Sequence, residues 1–158
     1  LTLVAAPLLA AALPPLRLSP LLPAAGFAAL FWLWHAPAPY DLTLRSDLVY
    51  WAMHASLFAA ALALWSALIG TRAARPFAGF LALAFTAGQM TLYAALLVLS
   101  PAAWHLWHVE GAALWGISAT ADQALAGAAM WVVGAGLFAV AVAALFSGPL
   151  LRADRARP

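Results

Sequence analysis

Only twelve charged side chains occur in 158 residues, and they leave long uncharged runs at residues 1 to 16, 18 to 40, 48 to 71, 76 to 109 and 123 to 151. Every run after the first exceeds the ~18 residues expected of a membrane span. Within lipid the backbone has to satisfy its own N–H and C=O groups, so runs of this kind become helices. The composition agrees, with 67% hydrophobic and 8% charged residues, where a soluble domain is roughly half apolar and about a quarter charged. A water-soluble globule and a disordered chain are both excluded. The absence of cysteine removes disulfides, zinc ribbons, iron–sulfur clusters and thiolate copper sites. The expected fold is all-α: a polytopic transmembrane helix bundle forming a single domain over residues 1–158, with no internal repeat and no linker.

Proline and turn signals trim the runs to four full spans at about 21–35, 47–70, 76–100 and 121–148. Residues 1–13 read as a fifth, partial helix whose start is missing, because Pro14-Pro15-Leu16-Arg17 resembles a loop and not a small-residue cleavage site. Positively charged loops stay in the cytoplasm. With Arg152, Arg155 and Arg157 placed there, alternating spans bring Arg17, Arg72 and Arg75 to the same side, leaving only Arg45 outside. The C-terminus is then cytoplasmic in a multi-pass protein of a bacterial inner membrane. Asp41, Asp47, Glu110, Asp122 and all four histidines fall at the outer end, within a belt of Trp and Tyr that suits the interface. Seven arginines dispersed at membrane edges form no basic face, so nucleic acid is not a partner and the lipid bilayer is.

Each histidine has its own setting. His35 closes the second run just before Ala36-Pro37, where proline stops a helix. His54 lies seven residues past Asp47 inside a span, ~10 Å below the interface, a depth at which an ionisable side chain suggests function. The plainer reading is a neutral imidazole bonded to a neighbouring helix. His105 and His108 form His-x-x-His, which shares one face if helical; the context Trp104-His105-Leu106-Trp107-His108 equally suits an amphipathic stretch lying in the interface.

Met53, Met90 and Met130 all fall ~8 to 15 Å below the outer surface. Met is also a common gap filler between helices. Gln123, Gly127, Met130 and Gly134 share a stripe on the last span, where glycine permits close helix approach. Thr86, Gln89 and Tyr93 form a polar stripe on the span before it, and a mid-membrane Gln requires a partner. Histidine and methionine without cysteine suit cuprous copper, with His35, His54, Met130 and Met90 as ligands and His105, His108 and Met53 as weaker candidates. Asp41 and Asp122 would orient the imidazoles or accept the ion first. Zinc would fit His and Asp equally, and haem b would fit two facing histidines. The residues themselves therefore reach a metal or haem site near the outer leaflet and go no further. No nucleophile–base pair, phosphate loop or His-Glu-x-x-His helix occurs, so an enzyme is not expected.

Two stretches carry a resemblance. Trp34-His35-Ala36-Pro37-Ala38-Pro39-Tyr40-Asp41, followed by His54 and Phe58 in Met53-His54-Ala55-Ser56-Leu57-Phe58 and then by Trp65, resembles the integral-membrane CtaG family of cytochrome c oxidase assembly factors. Asp122-Gln123-Ala124-Leu125-Ala126-Gly127-Ala128-Ala129-Met130-Trp131 is similar to that family's Asp-Gln-x-x-Ala-Gly-x-x-Met-Trp signature. The cysteine-dependent, single-span copper chaperone that shares the family name is excluded by the absence of cysteine. Two departures stand out: Met53 precedes His54 where the family pattern has an acidic residue, and Tyr50 occupies a position where members often carry a histidine. The resemblance implies help in maturing a haem–copper oxidase through copper delivery at the outer face. Oxidase subunits or other copper carriers are its implied partners. A haem-binding cytochrome and a structural subunit of a larger respiratory complex are the alternatives.

Overall fold

The computed structural model describes the backbone of residues 2–155 and the side chains of residues 2–143; Arg157 and the side chains of Arg152 and Arg155 lie outside the described residues. Among the described residues, seven helices follow one another: α1 (Ala5–Ala12), α2 (Leu21–His35), α3 (Pro37–Arg45), α4 (Asp47–Thr71), α5 (Pro76–Leu99), α6 (His108–Leu114) and α7 (Ala119–Arg155). The protein is an all-helical membrane protein. Its helices α4, α5 and α7 are each long and apolar enough to cross a bilayer. The expected span at 21–35 coincides with α2. With 15 residues, it rises only ~22 Å, short of a ~30 Å hydrocarbon core. It qualifies as a span only together with α3, from which it is bent by 71°. The bend has a local cause. Pro37 disfavours helical backbone at Ala36, which is extended (φ −67°, ψ 143°), and then starts α3 at a position where a missing N–H costs nothing.

The helix starts follow ordinary capping chemistry. Ser46 Oγ accepts from the Val49 N–H at the head of α4, Ser118 Oγ accepts from the Ala121 N–H at the head of α7, and Pro76 opens α5. α2 and α1 pack on α4, α2 packs on α5, and α5 packs on α7. α7 is peripheral, since only 6% of its most apolar stretch is buried, against 33% in α4 and 39% in α5.

Arg17, Arg72 and Arg75 gather at one end. The Leu16 N–H donates to Ser66 Oγ at 2.9 Å, and the backbone at residues 15–16 lies directly on Gly70. Arg17 therefore stands at the same end as Arg72 and Arg75, and α7 passes this end, where Pro76 and Val142 line one cavity. Just inside it is a dry core of Ala6, Ala10, Ala24, Phe27, Ala61, Leu64, Trp65, Leu68, Ala82 and Leu83. Small side chains dominate because helix association in lipid depends on close van der Waals contact, the hydrophobic effect being absent there. Trp65 spends its one donor on the Thr2 carbonyl at 3.1 Å, holding the N-terminal segment against α4.

Candidate functional site at the histidine end

At the opposite end the cross-links are polar. Tyr93, buried on α5, sits edge-on to Phe31 and Trp32 of α2, and its hydroxyl donates to the carbonyl oxygen of His35 at 2.9 Å. The His35 ring stacks on Phe31 with centroids 4.1 Å apart and meets Tyr93 edge-on at 5.1 Å. Its Nδ1–H donates to the Phe31 carbonyl at 2.7 Å; because a carbonyl only accepts, Nε2 carries the lone pair in the neutral ring. The residues before Pro37 thus point an imidazole back along α2 and turn the chain away.

The loop between α5 and α6 brings in the other pair. Tyr93 Oη lies 3.2 Å from His105 Nε2, the Tyr40 ring packs on His105 with centroids 4.3 Å apart, and Tyr40 Oη lies 2.8 Å from His108 Nε2. His35, Tyr93, His105, Tyr40 and His108 therefore form one connected chain drawn from α2, α3, α5, the loop and α6. Only His108 of the His-x-x-His pair is helical, since α6 begins there. The two rings meet by flanking Tyr40 and not by sharing a helix face. Asp41 and Asp122 both act electrostatically on Tyr40. Burial, followed by the neighbouring His108, holds His105 below the ordinary histidine value, while Asp41 pulls it upward and His35 lowers it slightly further. Two atoms in this cluster are buried without a protein partner, Asp41 Oδ1 and His105 Nδ1.

Gln123 secures the loop. Its side-chain oxygen accepts from the Trp104 N–H at 2.7 Å, and its amide nitrogen donates to the carbonyls of Leu97 and Ala102 at 3.2 Å each. One turn on, Gly127 lets α7 reach α5: a Cβ there would lie 2.9 Å from the Ala94 carbonyl and from Leu97 Cβ. The next turn places Met130 beside Phe31, Tyr93 and Leu97, with Met90 and Trp104 on the same cluster. The Asp-Gln-x-x-Ala-Gly-x-x-Met-Trp stretch is therefore a fastening strip, successive turns of which hold the histidine-bearing loop, the α5 backbone and Tyr93. On the other flank, Trp34 Nε1 donates to Ser56 Oγ at 2.9 Å and ties α2 to α4. Arg45, away from Arg17, Arg72 and Arg75, lies over the Trp107 ring at 5.4 Å and joins α3 to the loop.

The sequence candidates divide accordingly. His35, His105, His108, Asp41 and Asp122 converge. His54 packs instead on Tyr50 and Trp51 of its own helix, and its Nδ1–H donates to the Tyr50 carbonyl at 3.0 Å. Met53 remains on α4, its carbonyl accepting from Ser56 Oγ. Met90 and Met130 line one cavity of about 240 Å³ between α5 and α7, together with Trp131, Gly134 and Phe138. Gln89 is buried on α5, yet neither atom of its amide has a protein partner. Among the described residues, no group of three or more His, Asp or Glu has metal-holding geometry. Sequence reasoning did not identify the tyrosines as connectors. Their signal was the Tyr40-Asp41 pair and the four-residue spacing of Gln89 and Tyr93, which puts both on one face of α5.

No curated protein and no solved structure matches the chain. The family model for the cytochrome c oxidase caa3 assembly factor (Caa3_CtaG) matches residues 2–150, which include every residue of the cluster just described, and the chain belongs to that family.

Proposed function

We propose that this protein is a non-catalytic assembly factor that holds copper as cargo at its histidine end and passes it to a haem–copper oxidase. One observation carries the reading: three histidines, Asp41 and Asp122 lie at one end of the bundle about Tyr40 and Tyr93, with Asp41 Oδ1 and His105 Nδ1 buried and without a protein partner. Imidazole nitrogen and carboxylate oxygen are donors that a copper ion accepts, and membership of the assembly-factor family supplies the recipient. The positive-inside rule puts the arginine end in the cytoplasm and the histidine end at the outer face of a bacterial inner membrane. His54, with its own-helix partners, has no part in this arrangement.

The test is the copper content of the oxidase isolated from cells lacking this chain. We expect oxidase subunits that are present but copper-deficient, restored by the wild-type chain and by His54→Ala but not by a His35→Ala, His105→Ala double variant. A fully copper-loaded oxidase in the deletion strain would leave the protein a purely structural assembly role.

A further inference from the structure

Helices α5 and α7 touch at one level and part at the next. A Cβ at Gly127 would meet the Ala94 carbonyl and Leu97 Cβ at 2.9 Å, whereas one at Gly134, nearer the arginine end, would meet nothing within 4 Å. The gap that opens between the helices holds two adjoining cavities. The first, of about 240 Å³, runs past Thr91 and Gly134, and the second, of about 390 Å³, continues to Pro76 and Val142 at the arginine end. Ala87, Phe138 and Ala139 line both, so the two form one groove. From Pro76 to Thr91 α5 rises ~22 Å, enough to accompany an acyl chain through the ~15 Å of one leaflet's hydrocarbon. The groove is open to its surroundings, since Phe80 on α5 and Ala139 on α7 are exposed. An apolar space of this kind does not hold water, and left empty it forfeits the dispersion contacts of its lining.

The mouth of the groove is charged. Pro76, which lines it, directly follows Arg75, and Arg72 stands just before at the end of α4; both arginines are exposed. Arg17 stands at the same end. The acidic side chains among the described residues lie elsewhere: Asp41 on α3, Asp47 at the far end of α4, Glu110 on α6 and Asp122 at the head of α7. A basic mouth between membrane helices is complementary to an anionic lipid headgroup. We infer that the α5–α7 groove binds one anionic phospholipid from the leaflet at the arginine end, with its phosphate at Arg72 and Arg75 and one acyl chain running past Phe80 and Phe138 toward Thr91. A phospholipid supplies phosphate and chain in one molecule, matching the mouth and the groove together. The inference is independent of the copper reading.

The experiment uses the full chain in mild detergent, titrated with phosphatidylglycerol or with phosphatidylcholine, and bound lipid is counted by native mass spectrometry. One phosphatidylglycerol per chain is expected to be retained in preference to phosphatidylcholine. Each arginine beside an anionic headgroup is worth about fivefold in affinity, so the Arg72→Gln, Arg75→Gln double variant should weaken binding by about twenty-fivefold. Arg45→Gln, at the other end, should leave it unchanged. Ala139→Trp, placed where the two cavities join, should exclude the chain, so that phosphatidylglycerol spin-labelled on its acyl chain loses its immobilised component in the electron paramagnetic resonance spectrum. Because Ala139 is exposed on the peripheral α7, this variant should keep the wild-type circular dichroism. Equal retention of the two lipids, or unchanged phosphatidylglycerol binding in the double variant, overturns the inference. Loss in the double variant with an unchanged immobilised component in Ala139→Trp would confine the lipid to a headgroup patch and remove the groove from the proposal. If Ala139→Trp instead disrupts a dimer and leaves lipid binding untouched, the groove belongs to a second copy of the chain and the lipid reading falls.

Discussion

The two ends of this bundle are held together by opposite means. At the arginine end, alanines and Gly70 let helix and loop backbones touch, and the core contains little that is polar beyond Ser66 and Thr71, each of which has a hydrogen-bond partner. At the histidine end, the same helices are joined through Tyr93, Trp34 and Gln123, and the cluster that these side chains support retains unsatisfied acceptors. Packing of small residues is rigid and chemically silent. Polar cross-links are directional, so they can hold an imidazole in one tautomer while leaving one of its nitrogens free.

Four outcomes would sharpen or break that contrast. The largest effect is expected from Gly127→Ala, whose new Cβ would meet the Ala94 carbonyl and Leu97 Cβ at 2.9 Å. Since α7 is held mainly by α5, the cost should be about 2–3 kcal/mol, measurable by unfolding in mixed micelles. A silent Gly127→Ala would mean that the α5–α7 contact is looser than described.

Gln123→Leu comes next. It leaves the Trp104 N–H and the Leu97 and Ala102 carbonyls without their partner, at about 1–3 kcal/mol for a buried group left unsatisfied. The damage should be local: hydrogen exchange should rise in residues 100–107 while α1 and α4 keep their protection. Uniform loss of protection would contradict the independence of the two ends.

A smaller effect concerns pH. His105 is held below the ordinary value of 6.5, first by burial. The unfolded chain then binds a proton there at a pH where the folded chain resists it, so stability is full above about 6.5 and declines as the pH falls below it. In the ion-free protein this slope should be present and should vanish in His105→Gln; a slope unchanged by that substitution would assign it elsewhere. The smallest effect belongs to His54→Ala, expected within about 0.5 kcal/mol of wild type. A loss comparable to that of Gln123→Leu would show that α4 contributes to the histidine end in a way its contacts do not reveal.

How much of this is legible in the sequence depends on the range over which each feature is decided. The uncharged runs mark where α4, α5 and α7 stand, and the Ala36-Pro37 step marks where α2 stops, because hydropathy and proline sterics act within a few residues. The same local logic marks α2 at 21–35, but that α2 continues into α3 at a bend of 71° is settled only in three dimensions. Glycine spacing on the last helix pointed to close approach at Gly127, and the partner backbone proved to be α5. The stripe of Thr86, Gln89 and Tyr93 was visible, yet only Tyr93 and Thr86 find protein partners.

The histidines show where such reading stops. Depth along a span favoured His54 over His105, and depth follows from counting residues. Which rings meet depends on how α2, α5 and the loop are rotated about one another, and that is set by contacts 12 to 68 residues apart, such as Tyr93 with His105 and Tyr40 with His108. The sequence by itself determined a membrane-embedded helical bundle and assigned six of its seven arginines to one end and its histidines to the other, because partition between lipid and water acts on each segment separately. Only the tertiary structure decided that His105 Nδ1 and Asp41 Oδ1 are buried without a protein partner, because an unsatisfied atom is defined by every group that surrounds it.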